Sequence, residues 1–66
     1  MTRLDAFVTR ARMVRALRGV NLDSTQDRAW AYVRAGLTNE EIIAFDDEAA
    51  RVARLAPAMR SVRRVA

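Results

Sequence analysis

Two runs of neighbouring carboxylates, Glu40–Glu41 and Asp46–Asp47–Glu48, come nearest to catalytic chemistry in this chain. General acid–base work needs titratable groups of suitable pKa converging on one reacting atom. Neighbouring side chains on a helix instead diverge by about 100°, because a turn takes 3.6 residues. The chain has no His, Cys or Lys to partner these acids. They also lack the loop geometry with which calcium sites gather oxygen ligands. They read as helix-N-terminal charge and solvated surface, so no enzyme, catalytic residue, metal, cofactor or small-molecule substrate is expected.

The basic residues suggest a different chemistry. All twelve are Arg, whose planar guanidinium grips phosphate and carboxylate in bidentate fashion. With abundant Ala and Val, an all-Arg chain also looks like the coding bias of a high-GC genome, such as an actinobacterium or a phage. Charge is segmented: residues 1–20 carry net +4, residues 21–50 net −5 and residues 51–66 net +5. On a helical reading of residues 3–18, Arg12 and Arg15 flank one edge of an apolar stripe and Arg3 and Arg10 the other, with Arg18 in line with it. That distribution suits long stems covering apolar edges with their heads in water. Arg12 and Arg15 with Arg60, Arg63 and Arg64 of the tail are the candidate nucleic-acid contacts.

The elements that must position these groups are clearly punctuated. "TRLD" places Thr2 at an N-cap with Asp5 three residues on. "DSTQD" offers Asp23 with Gln26 or Ser24 with Asp27, and "TNEE" pairs Thr38 with Glu41. Each has the form of a capping box, in which cap and third residue satisfy orphan helix amides. Gly19 and Gly36 stand where a left-handed C-terminal residue is wanted, with Val20 and Leu37 as the hydrophobic residues after them. Helices are therefore expected over about 3–18, about 24–35 and from about 39 onward. Pro57 should stop or kink the third near Leu55, leaving a short basic fourth helix or tail.

Apolar spacing supplies the faces. Leu4, Phe7, Val8, Ala11 and Val14 share one face of helix 1, the face expected in the core. Trp30, Tyr32 and Val33, with Ala29, cluster on helix 2, where both large rings are expected in the core. Ile42, Phe45, Ala49, Val52, Ala56 and Met59 step by three and four along helix 3 as a heptad seam. An exposed Asp47–Arg51 pair is expected at i,i+4 spacing.

"YVRAGLTNEEI" resembles the opening of the helix-turn-helix domains found in bacterial response regulators and in many small phage and actinobacterial DNA-binding proteins. The resemblance covers roughly eleven residues, and it implies a scaffold helix followed by a turn and a basic recognition helix. The chain departs from that pattern immediately afterwards. No Gly or Pro separates Ile42 from Leu55, the seam runs through the place of the turn, and Asp46, Asp47 and Glu48 stand where a recognition helix would begin. Three acids face DNA phosphates badly, so residues 39–55 read as one long helix.

The fold expected is all-α: a small three-helix bundle with a long third helix and a short basic C-terminal helix or tail. Residues 1–56 would form the bundle and 57–66 the basic extension. A chain of this size buries only about 60% of the surface its unfolded form exposes. Without disulfides or a metal, association is the remaining staple. The expected function is a non-enzymatic helical interaction or regulatory protein, phage-encoded or actinobacterial. It would self-associate or bind a larger protein through Ile42, Phe45, Ala49, Val52, Ala56 and Met59, with a small DNA-binding regulator as the alternative. No run of more than five residues is free of charge. The N-terminus carries charge through its apolar part, unlike a signal peptide, so a cytoplasmic protein with no membrane partner is expected.

Overall fold

A computed structural model describes residues 2–65, with side chains described over 2–55. It has three helices: α1 (Arg3–Ala16), α2 (Thr25–Arg34) and α3 (Asn39–Val65). The caps form as the spacing requires. Thr2 Oγ1 accepts from the Asp5 N–H at 3.1 Å while the Asp5 carboxylate accepts from the Thr2 N–H at 3.3 Å. Thr38 and Glu41 repeat the exchange at α3, at 3.2 and 2.9 Å. Between the two alternatives at α2, Ser24 is the cap, its Oγ accepting from the Asp27 N–H at 3.2 Å. Both cap carboxyls lie below their ordinary values, Asp5 chiefly through the Thr2 N–H and Glu41 chiefly through the Thr38 N–H.

Helix α2 closes with a complete Schellman motif. Gly36 adopts φ +83°, its N–H donates to the Val33 carbonyl at 3.0 Å, and the Leu37 N–H reaches back to the Tyr32 carbonyl at 3.0 Å. The motif's hydrophobic pair, Leu37 and Tyr32, becomes part of the core. α1 closes more loosely. It ends at Ala16, two residues before the expected end, and Gly19 at φ +76° turns the chain after a short stretch of i→i+3 bonds.

The core is Met13 and Leu17 from the α1 end, Tyr32 and Leu37 from the α2 end, and Ala49 from α3, with Ile42, Phe45 and Ala53 packed around it. Thr9 and Glu41 are joined by a hydrogen bond, as are Leu22 and Arg54. Both links span the same sequence separation, so α1 with its following loop and α3 advance in the same direction and pack directly on each other, with α2 as the return segment of the chain. The small residues Ala49 and Ala50, both buried, allow α3 to approach closely.

Three expectations are corrected. The apolar face of α1 is rotated: Thr9 and Met13 are its buried residues, whereas Leu4, Phe7 and Val8 face solvent. The stripe that wins is Ala6, Thr9, Met13, Ala16, which runs on into Leu17 and Val20, residues that pack on α2 and α3 after the helix ends. On α2, Tyr32 is fully buried but Trp30 and Val33 are exposed. Of the two rings on this ten-residue helix, the one with a partly buried hydrogen-bond acceptor, Asp46, lies inside. Finally, of the stop or kink expected near Leu55, the stop does not occur. Pro57 removes the N–H that would bond the Ala53 carbonyl, yet the helix runs on to Val65. The expected boundary between a 1–56 bundle and a 57–66 extension falls outside the described side chains.

Candidate interaction surface

Several polar links hold the helices in register and determine what is left on the surface. The first is a knot of Arg28, Tyr32 and Asp46. Arg28 forks onto the Asp46 carboxylate, Nε to Oδ1 at 3.0 Å and Nη2 to Oδ2 at 3.1 Å. The Tyr32 hydroxyl donates to the same Oδ1 at 2.8 Å, and Arg28 Nη1 donates to the Leu22 carbonyl. The guanidinium holds the Asp46 carboxyl below its ordinary value against the opposing effect of burial. Burial, aided by the hydrogen bond to Asp46, pushes the Tyr32 phenol up, and the hydrogen bond to Asp46 raises Arg28. Asp46, read from sequence as a helix-N-terminal acid, is thus a mid-helix acceptor tying α3 to α2. The only hint in the sequence is that Arg28 and Tyr32 stand four apart, on one face of α2.

The second link is Arg12, whose Nη2 donates to the Ala35 carbonyl at 2.8 Å and so caps the end of α2. The third joins Arg10 to α3: Nη1 lies 3.5 Å from Glu48 Oε2, and the guanidinium sits 5.7 Å from the Phe45 ring centroid. At the far end, Arg54 meets Asp23 at 2.7 Å. The expected Asp47–Arg51 pair does not form: neither residue belongs to any ion pair among the described residues.

What remains is apolar surface that stays exposed among the described residues. Leu4, Phe7 and Val8 of α1 are 71, 63 and 47% exposed, and Val52 and Leu55 of α3 are 45 and 57% exposed. Phe7, Ala11 and Val14 form one wall of an open groove and Ala49 and Val52 the other, with Arg10 and Glu48 bridging it. Sequence reasoning placed the α1 stripe in the core and so missed this surface. The signal was present in a second stripe of equal period, Ala6 to Val20, which alone continues past the helix end.

The expected partner-binding seam is divided. Ile42 and Phe45 pack against the core and Ala49 is inside it, all three against this chain's own helices. Val52 is exposed at the groove, while Ala56 and Met59 lie outside the described side chains. Of the candidate nucleic-acid contacts, Arg12 is tied to Ala35, Arg15 is exposed, and Arg60, Arg63 and Arg64 lie outside the described side chains. Trp30 lines a separate open concavity with Gly19, Val20, Asp27 and Arg34. Among the described residues no group of acids, His or Cys could hold a metal, and no helix is long and apolar enough to cross a membrane. Comparison with protein-family models, characterised proteins and solved structures finds no match.

Proposed function

We propose that this chain is a small non-enzymatic interaction module that takes a helix of a protein partner into the groove between α1 and α3. The observation that carries this reading is the open groove walled by Phe7, Ala11 and Val14 of α1 and by Ala49 and Val52 of α3, with Phe7 and Val52 exposed along it. Contiguous apolar patches on the surface of a small domain mark interaction sites. A groove walled by two helices suits the apolar face of a third, anchored at i, i+3, i+4 and i+7. The partner would lie on α1 as much as on α3, meeting Val52 of the seam, whereas the buried Ala49 serves mainly the chain's own core.

The test is selection of binders from a displayed library of amphipathic helices. Binders that lose affinity when Phe7→Glu or Val52→Glu is introduced, and keep it with Ile43→Glu, support the reading. Ile43 is the appropriate control because it is exposed on α3 away from the groove. Failure to select binders, or binders indifferent to Phe7 and Val52, counts against it.

A further inference from the structure

We infer that the helix seated in the groove is α1 of a second copy of this chain, the two copies docking reciprocally about a two-fold axis that runs along the groove. The inference rests on the interaction-module reading above and names the partner. A two-fold interface brings one patch against itself, so the patch must be self-complementary. The two walls of the groove have that property. The α1 wall carries Phe7, Ala11 and Val14 with Arg10, and the α3 wall carries Ala49 and Val52 with Glu48. An axis along the groove exchanges the walls, so each α1 lies on the α3 of the other copy. The bulkier wall, with Phe7 63% exposed, then meets the wall thinned by Ala49. Phe7, Ala11 and Val14 stand at i, i+4 and i+7, the anchor spacing of a helix laid in a groove, so the chain itself carries the stripe that the groove accepts.

The charges select the same occupant. Within one chain, Arg10 Nη1 lies 3.5 Å from Glu48 Oε2, with the two side chains 37 and 49% exposed. A guanidinium has five N–H donors and a carboxylate has room for several. Each Arg10 can therefore take a second Glu48, and each Glu48 a second Arg10, which closes a ring of alternating sign between the copies. A polyanion would meet Glu48 together with Arg10, and a polycation would meet Arg10 together with Glu48. An occupant that presents both signs satisfies both, and a second copy does. Few residues line the groove, against roughly 20–30 a side in a standard stable interface. The dimer is accordingly weak, with a Kd on the order of 100 µM.

The test is sedimentation equilibrium of the full chain over roughly 1 µM to 1 mM, a span that brackets that affinity. The mass should rise from 7.4 kDa towards double that value. Phe7→Glu should weaken association by about thirtyfold or more, as loss of a central aromatic does. Charge reversal supplies the geometric control. Arg10→Glu alone sets acid against acid between copies, and Glu48→Arg alone sets arginine against arginine, so each should weaken self-association by about tenfold. An equimolar mixture of these two variants restores opposite signs across the interface and should associate as the parent does. Loss of the intrachain pair alone could not produce that recovery, and helicity and melting of each dilute variant serve as the fold control. A mass of 7.4 kDa throughout overturns the second-copy inference. Displayed helices selected through Phe7 and Val52 would in that case still uphold the groove reading and assign it to a foreign partner. Association unmoved by Phe7→Glu, or a mixture of folded reversed variants that stays monomeric, also overturns the inference.

Discussion

Asp46 receives a forked guanidinium and a phenol hydroxyl at one carboxylate, with its side chain 20% exposed and that of Arg28 12% exposed. Removing the carboxylate takes the ion-pair partner from Arg28 and the acceptor from the Tyr32 hydroxyl. Asp46→Ala should therefore cost about 2–4 kcal/mol, somewhat below the loss seen when a fully buried pair is broken. In a domain this small, that approaches the whole stability, and thermal unfolding followed by circular dichroism should show a large drop in midpoint. The same knot sets the pH dependence. The folded Asp46 carboxyl lies below its ordinary value of 3.8, so its contribution is fully present above 3.8 and is lost as pH falls through the lower folded value. The folded Tyr32 phenol lies above its ordinary value of 10.0, so that contribution is present below 10.0 and is lost as pH climbs towards the raised value. Stability measured across pH should form a plateau with losses at both ends, and Tyr32→Phe should remove the alkaline one. Ala49, by contrast, is a packing residue. Ala49→Glu should unfold the bundle, and so it cannot serve as a clean probe of partner binding.

At the scale of the elements, the termini were legible and the rotation of the helices was not. Caps and C-terminal glycines are local devices whose geometry depends on residues within one turn, so Thr2, Thr38 and Gly36 could be placed from sequence, and Ser24 was one of two candidates at α2. Gly36 at φ +83° has a testable cost: Gly36→Ala should destabilise by about 1–2 kcal/mol, since an L side chain resists the left-handed region. Ser24→Ala should cost about 0.5–2 kcal/mol through the lost cap; a melting temperature unchanged by either substitution would contradict these assignments. Which face of α1 turns inward depends on distant partners. Both stripes of α1 have helical period, and the choice is made by Leu17 and Val20 beyond the helix and by the bond from Thr9 to Glu41. Thr9 was passed over because a hydroxyl does not register in an apolar pattern. Trp30 was assigned inward on size alone, yet Tyr32 has the acceptor that lets its hydroxyl be buried. The Arg28–Asp46 link escaped notice because eighteen residues separate its members and no periodic signal joins them. The groove inherited the same blind spot, since it consists of the stripe that lost the competition.

For the molecule as a whole, the arrangement is a core of few residues with a large apolar remainder on the outside. Met13, Leu17, Tyr32, Leu37 and Ala49 form the centre, while Leu4, Phe7, Val52 and Leu55 remain exposed. A chain so short gains little from its own interior, and covering the α1/α3 face would add apolar burial that the isolated chain forgoes. Binding of a partner helix should therefore raise the melting temperature in proportion to occupancy. The account depends above all on Phe7 lying on the surface and Met13 beneath it. The most direct measurement is the thermal midpoint of dilute Phe7→Glu beside that of Met13→Ala. Phe7→Glu should stay within about 0.5 kcal/mol of the parent, as surface substitutions do, whereas Met13→Ala should lose about 2–5 kcal/mol as a core truncation. A Phe7→Glu chain that melts as early as the Met13→Ala chain would return the α1 stripe to the core and remove the interaction surface with it.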